Sequence, residues 1–443
     1  MTAPTVQSIP LTGSDHFALL LDHRMRRAHL PGNICRLALR LDATLEPEAL
    51  KGALARTGLG PWLANVRLHR ALPFRPGHWR AANGHAPTPM VRIHDGAADW
   101  PFEGDAPGAT LSDLSTVGLR DRAPVAFDLL RHAEGMTLLM TWHHGIMDAK
   151  GAEHLLQMIG GEEGDASSAQ AFADPAEQRP SPAGSKLQAI RRQSREMMEV
   201  MKGPIASLAN GGSADRHPIV RHRVITFTEA ETARIDERGA EAGVGVSRSF
   251  FHLAAAMRAA SMVRERRRLP AAPCVVPVPL DLRRRGQLGP VFSNPLSFLF
   301  YRAEPHELDS PAMLVDAFKS QMLEQLRNES PEAFRTAMRF MRPVPLWVTT
   351  LVMNRPNRGQ FASLFFADLG ASLDGVETFI GARVRAMVHF PPVANPPGVG
   401  VLFHRYRGRQ TAVISRIEAC VSDGETDLLE SSLRADLIGE AAT

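Results

Sequence analysis

Apolar positions along the chain switch between two spacings, and the switching predicts a mixed fold. In the first part, Asp15 to Arg27 and Pro47 to Arg56 carry helical spacing, while Asn33 to Leu41 (NICRLALRL) alternates as a strand does. Ala123 to Arg131 and Gly135 to Trp142 read as two strands joined by a turn at His132–Gly135. The second is almost wholly apolar or Thr, the pattern of a strand buried on both faces. A helix is expected from about Ala149 to Ile159.

The second part repeats the mixture. Ile219 to Phe227 is a predicted strand, Glu229 to Ala242 a helix, and Ser247 to Arg264 a longer helix with Ser247 as its expected cap. Further strands are expected at Cys274–Leu280, Leu296–Tyr301, Ser363–Phe366, Val384–Phe390, Gly398–His404 and Thr411–Ile417, with a closing helix at Thr426–Leu437. Between the halves, Gly160–Pro182 and Gly203–Pro218 are polar connectors. They flank Lys186–Lys202, where Leu187, Ile190, Met197 and Val200 or Met201 form one helical stripe. The expected class is α/β (α+β): an N-terminal lobe over 1–160, a linker and crossing helix over 161–218, and a C-terminal lobe over 219–443.

Composition narrows the class. Of 443 residues, 44% are apolar and 22% charged, as in globular proteins, so extended disorder and fibrous repeats are excluded. No uncharged apolar run reaches the ~18 residues of a membrane span. The first residues (MTAPTVQSIPLTGSDHF) lack the basic and apolar regions of a secretory leader. Three scattered cysteines fit no disulfide framework or CxxC site, and a reducing cytoplasm is the expected compartment. The net charge of +4 is too small to argue for nucleic acid. Aromatics, at 6%, do not interleave with the basic runs Arg264–Arg268 and Arg283–Arg285.

Chemistry concentrates in Trp142-His143-His144-Gly145-Ile146-Met147-Asp148-Ala149-Lys150-Gly151, between a buried strand and a helix. An imidazole there can take a proton near neutral pH, and Gly145 and Gly151 allow a tight turn and close approach of a substrate. Three plainer readings stand beside catalysis. In the first the histidines are only hydrogen-bonded strand-end residues, in the second the His-His-x3-Asp set ligates a metal, and in the third Asp148 only caps the next helix. No further Cys, His, Asp or Glu cluster with ligand spacing lies nearby, so no metal site is expected.

His143, His144, Asp148 and Gly151 match HHxxxDxxG, which resembles the signature of the CoA-dependent acyltransferase superfamily: chloramphenicol acetyltransferase, condensation domains, wax ester synthases and polyketide-associated acyltransferases. Weaker likenesses are Ile9–Asp15, Gly243–Ser247 entering an Ala-rich helix, and Val278-Pro279-Leu280-Asp281-Leu282-Arg283 followed by Ser293-Asn294. The resemblance implies two chloramphenicol-acetyltransferase-like lobes, each a mixed sheet flanked by helices, with an active-site tunnel between them. It implies His144 as general base, and Asp148 as a structural residue paired with an arginine, for which Arg283 and Arg67 are the candidates. It implies an acyl-CoA or phosphopantetheine thioester as co-substrate, with no bound cofactor, and a small alcohol or amine as acceptor attacking directly. Peripheral membrane contact is left open. The alternative is a catalytically silent condensation-like domain that binds a carrier protein.

Two departures stand out. Asp148 is followed by the looser DxxG spacing, and Phe365–Gly370 stands where relatives carry a Ser-Asn-Leu-Gly-like strand end. Asn294 and Ser363 are therefore the expected oxyanion or substrate groups, with Asp368 beside them. The arginine runs are read as solvated surface or as phosphate contacts for the thioester donor. Met338, Phe340 and Met341 are candidate tunnel lining, and His154 is expected at the surface.

Overall fold

The apolar run after Gly135 becomes the strand Gly135–His143, buried along all but its first residue, inside a six-stranded sheet. In the computed structural model, residues 8–69, 75–81, 86, 88–95, 102–106, 114–161, 171–172, 191, 195, 199–200, 202–209, 218–245, 247–284, 287, 289–354 and 359–439 are described. Across this sheet the order is Thr378–Phe379, Ala382–Phe390, Ile34–Leu41, Gly135–His143, Val125–His132, Met90–His94. A second sheet of five strands runs Phe365–Ala371, Val399–Tyr406, Arg409–Ile417, Val220–Thr226, Gly104–Ala106. Each sheet borrows from the other half of the chain: Ala382–Phe390 pairs with Ile34–Leu41, and Gly104–Ala106 pairs with Val220–Thr226. Two smaller sheets complete the pairing, one joining Cys274–Asp281 to Leu296–Ala303.

Each large sheet covers its own apolar core. One gathers Leu37, Leu39, Phe127, Leu138, Met140 and Trp142; the other gathers Phe227, Phe251, Met257, Phe318, Phe403 and Leu433. A small cluster containing Leu139, Val224, Val388 and Val413 joins them. Burial of this kind, at about 25 cal/mol per Å² of apolar surface, is the main term holding such layers together.

Most expected elements are present within a few residues. Of the expected helix Lys186–Lys202, residues 191, 195, 199 and 200 are described and helical and Lys202 is described and not helical; its other residues, most of Gly160–Pro182, and residues 210–217 lie outside the described residues. The long helix starts at Ser249, not Ser247, and its cap position is held by Arg248 with no side-chain cap bond. Three helices, Pro311–Arg327, Ser330–Met341 and Leu346–Met353, have no counterpart in the sequence reading. Each has a proline at its first or second residue or at the cap, and these prolines punctuate the pattern like loop residues although proline suits a helix's first turn.

Candidate active site

Strand register delivers the histidine pair. Ile34 sits opposite His143, and the backbone N–H of His144 donates to Asn33 O at 2.9 Å where the two strands end. Asn33 is itself pinned: its side chain donates to Ala18 O and its backbone N–H to Asp22 Oδ1, both at 2.9 Å. The turn that follows is therefore fixed to the first helix, Gly13–Arg27.

The two histidines then diverge. His143 is fully buried, its Nδ1 accepts from the Gly145 N–H at 3.0 Å, and its Nε2 lies 3.1 Å from Asp22 Oδ1. Burial pulls the His143 pKa down, with the Asp22 contact opposing. On the other side of the contact, burial works upward on Asp22, yet His143 and the Asn33 N–H hold its carboxyl down at about 2. His143 is thus a neutral brace for the loop, with no access to a substrate.

His144 is only partly buried. Its Nδ1 lies 3.0 Å from Asn294 Oδ1, and Asn294 Nδ2 returns a bond to His144 O at 3.0 Å. The second N–H of that amide donates to Asp15 Oδ1 at 2.8 Å, and the Asn294 backbone N–H reaches the same oxygen at 2.9 Å. A carboxylate acceptor dictates which end of the Asn294 amide faces it, so the amide oxygen must face the imidazole. Nδ1 is therefore the donor nitrogen of His144, and Nε2 keeps its lone pair.

Asp15 occupies the third position of its helix in a capping box with Thr12, whose backbone N–H donates to Asp15 Oδ2 at 2.7 Å. Burial pushes the Asp15 carboxyl up, and the bonds from Asn294 and Thr12 oppose that shift.

Asp148 caps the helix Ala149–Gly160 through the Gly151 N–H at 2.7 Å. Its two oxygens also receive Nη1 and Nη2 of Arg283, each at 2.8 Å, in a forked pair. Burial disfavours the Arg283 charge, but Asp148 outweighs it and raises the pKa. Arg67 has other partners, the carbonyls of Ala64 and Val66 at 3.0 and 2.8 Å. Gly151 proves to be a packing position: a Cβ there would run into the Val291 carbonyl oxygen.

No family model matches the chain, and no curated protein matches it by sequence. Solved structures do match over nearly the whole length. The first condensation domain of the CDA synthetase superposes with a TM-score of 0.67 at 15% identity, covering 99% of this chain and 98% of that one. TRI3, the trichothecene 15-O-acetyltransferase of Fusarium sporotrichioides, gives 0.66 at 11% identity, covering 97% and 95%. Polyketide synthase associated protein 5 of Mycobacterium tuberculosis gives 0.62 at 16%, covering 98% of each chain. The fold is the one that this acetyltransferase and this condensation domain share.

Within this acyltransferase fold, the seam between the halves supplies the site: Asp15 and His144 come from the first, Arg283 and Asn294 from the second. The three expected oxyanion groups are not free for that task. Both amide N–H bonds of Asn294 are engaged on Asp15 and His144, which makes it the orienter of the imidazole. Ser363 is buried against the Cys274–Asp281 strand, its Oγ accepting from Val275 N–H at 2.9 Å while its hydroxyl bonds to the buried Cys274 thiol. Asp368 accepts from the Gly370 N–H and pairs with His252 Nδ1 at 2.8 Å; burial would raise its pKa, but His252 holds it down.

Within the arginine runs, Arg264, Arg267 and Arg283 have structural partners, while Arg266, Arg268 and Arg284 are exposed. Arg264 donates to Ser207 O and Pro270 O, and Arg267 to Leu208 O, Cys420 O and Glu425. Arg285 lies outside the described residues. His154 is buried rather than at the surface, and Phe340 is exposed while Met338 is buried. Among the described residues, no group of three or more His, Cys, Asp or Glu side chains could hold a metal ion, and no helix is long and apolar enough to cross a membrane.

Proposed function

We propose that this chain is an acyltransferase that moves an acyl group from a CoA or carrier-protein thioester to a hydroxyl or amine, with His144 as general base. The observation that carries the reading is the Asp15–Asn294–His144 chain of hydrogen bonds, which leaves the Nε2 lone pair of a partly exposed imidazole available. A base held in one tautomer by a third group is the arrangement that acyl transfer by direct attack requires.

In this mechanism Nε2 takes the proton from the acceptor O–H or N–H as that atom bonds to the thioester carbonyl carbon. The tetrahedral intermediate collapses by breaking the C–S bond, and His144 returns the proton to the leaving thiolate. No acyl-enzyme forms, so no nucleophilic side chain is needed. Asp148 and Arg283 hold the loop at the seam. Asn294, Ser363 and Asp368 do not supply the oxyanion donors, because each is engaged elsewhere.

Support from the comparisons is at the level of fold: a trichothecene O-acetyltransferase and a condensation domain share it. The test is discharge of a panel of acyl-CoA and acyl-phosphopantetheine thioesters in the presence of alcohol and amine acceptors, read as free thiol released. Acceptor-dependent release supports the proposal; none across both donor types contradicts it.

A further inference from the structure

Side chains two apart along a strand share a face, so the sides on which the two large sheets meet divide into rows. Ala38, Leu139 and Val388 of the first sheet meet Val224 and Val413 of the second in the small apolar cluster that joins them. Two residues along, the next row of the first sheet is Phe390, Arg36 and Thr141, opposite one another in register. The matching row of the second sheet is His222 and Ser415. These rows touch, the His222 ring lying 5.3 Å from that of Phe390. Two residues further come Ile34 and His143, where the turn carrying His144 begins. An arginine thus stands between the apolar cluster and the candidate base, about 7 Å of strand from the His143 position.

That arginine has no counter-charge bonded to it. Among the described residues no hydrogen bond or ion pair engages the Arg36 guanidinium, and its Nε is closed off from water. The side chain as a whole is only partly buried, so it can still be reached. Burial pulls its pKa down to about 10; Asp128, whose field opposes that shift, is taken up by His94 and Ser115. Thr141, fully buried opposite Arg36, has a hydroxyl without a partner as well. His222 bonds through Nδ1 to Ser415 Oγ at 2.8 Å, and its other ring nitrogen engages nothing among the described residues. Arg283, also at the seam, shows the contrast: its fork is filled by Asp148. A buried cation is costly to keep unpaired, and such a breach of the usual rule marks a working position.

Charge selects the ligand. Arg36 brings one positive charge, while His222, its pKa pulled down to about 3 by burial with Arg36 adding, brings none. A planar monoanion matches that single charge, and its two oxygens match the guanidinium fork. A phosphate, carrying about −2, would be left half compensated. We infer that Arg36 and Thr141 bind a carboxylate carried by one of the two substrates, on the acyl chain or on the acceptor.

A substrate carboxylate rests on the acyl-transfer reading, but the test reads binding and not turnover, so each can fail alone. Calorimetry on the full chain compares two pairs of probes that differ only in charge: a glutaryl-pantetheine thioester with its terminal methyl ester, and 3-hydroxybutyrate with its methyl ester. In at least one pair the acid should bind at least ~10-fold tighter, the lower end for hydrogen bonds to a charged group. The pair that discriminates tells which substrate carries the carboxylate. Arg36→Met should abolish the preference while the melting temperature holds or rises, because an uncompensated cation is gone. Arg36→Lys keeps the charge but not the fork, and should lose most of the preference with the fold intact. Acid and ester bound alike by wild type in both pairs overturn the inference, as does a preference unchanged in the folded variants. Inorganic phosphate bound through Arg36 more tightly than either acid also overturns it, by making a phosphate of the thioester donor the occupant.

Discussion

Asp15 Oδ1 accepts both the backbone and the side-chain N–H of Asn294, at 2.9 and 2.8 Å, across a separation of 279 residues. This contact sets the direction of the amide and, through it, the tautomer of His144. Replacing Asp15 by Asn keeps the shape but offers an N–H where an acceptor is needed. Loss of a bond to a charged group is worth about 1.5–3 kcal/mol, or roughly ten- to a hundred-fold. The expected result is a kcat lower by that factor with KM nearly unchanged. In ¹⁵N-histidine spectra, wild-type His144 should show a protonated Nδ1 and a bare Nε2, with the variant mixed between tautomers.

The Asp148–Arg283 pair is a buried fork, with the Arg283 side chain 4% exposed. Asp148→Ala leaves that guanidinium without its main partner, a change expected to destabilise the protein by about 3–5 kcal/mol. Adding Arg283→Met removes the stranded charge and should recover a large part of the loss. Urea unfolding of wild type, single and double variants decides it. A double variant no better than the single one would contradict the pairing as the source of the effect.

Acid should destabilise the fold through two buried histidines. His222 bonds to Ser415 Oγ at 2.8 Å, and burial pulls its pKa down to about 3. Among the described residues, neither ring nitrogen of His404 has a hydrogen-bond partner, and burial, with His389 adding to it, pulls its pKa to about 3. The unfolded chain protonates these rings below about 6.5 and the native one only near 3, so the unfolded state binds more protons in between. Stability is complete above pH 6.5 and falls as pH drops through that window. Each ring contributes about 2 kcal/mol of loss between pH 7 and 5. His404→Leu should flatten the decline by about that amount. Unfolding curves for both proteins at the two pH values measure it, and an unchanged slope would contradict it. Asp22, held at about 2, adds its loss only at lower pH.

The HHxxxDxxG segment was legible because everything that makes it a site is local: a buried strand, a turn and a capped helix within one stretch. Asp148's partner was narrowed to two arginines, and only the tertiary fold brings Arg283 rather than Arg67 to it. Asn294 orients the imidazole instead of facing an oxyanion for a related reason. An amide's contribution depends on which of its bonds are already taken, and Asp15, which takes one, is marked in the sequence only as the end of the Ile9–Asp15 likeness and by a capping-box spacing with Thr12. Ser363 and Asp368 sit on a predicted strand, but strand spacing does not say which neighbours its side chains meet. Nor does the pattern foretell that Ala382–Phe390 crosses to the first sheet. The helix Leu346–Met353 carries no such pattern because six of its eight residues are apolar and they lie on every side, leaving no stripe to repeat.

The proposed reaction turns on His144 Nε2 taking the acceptor's proton. Its most direct test is acceptor-dependent thiol release by wild type and by His144→Ala at matched folding, checked by equal melting temperatures. The variant is expected to lose at least ~10²-fold in rate, the usual worth of a general base. A folded His144→Ala protein that releases thiol at the wild-type rate would contradict it.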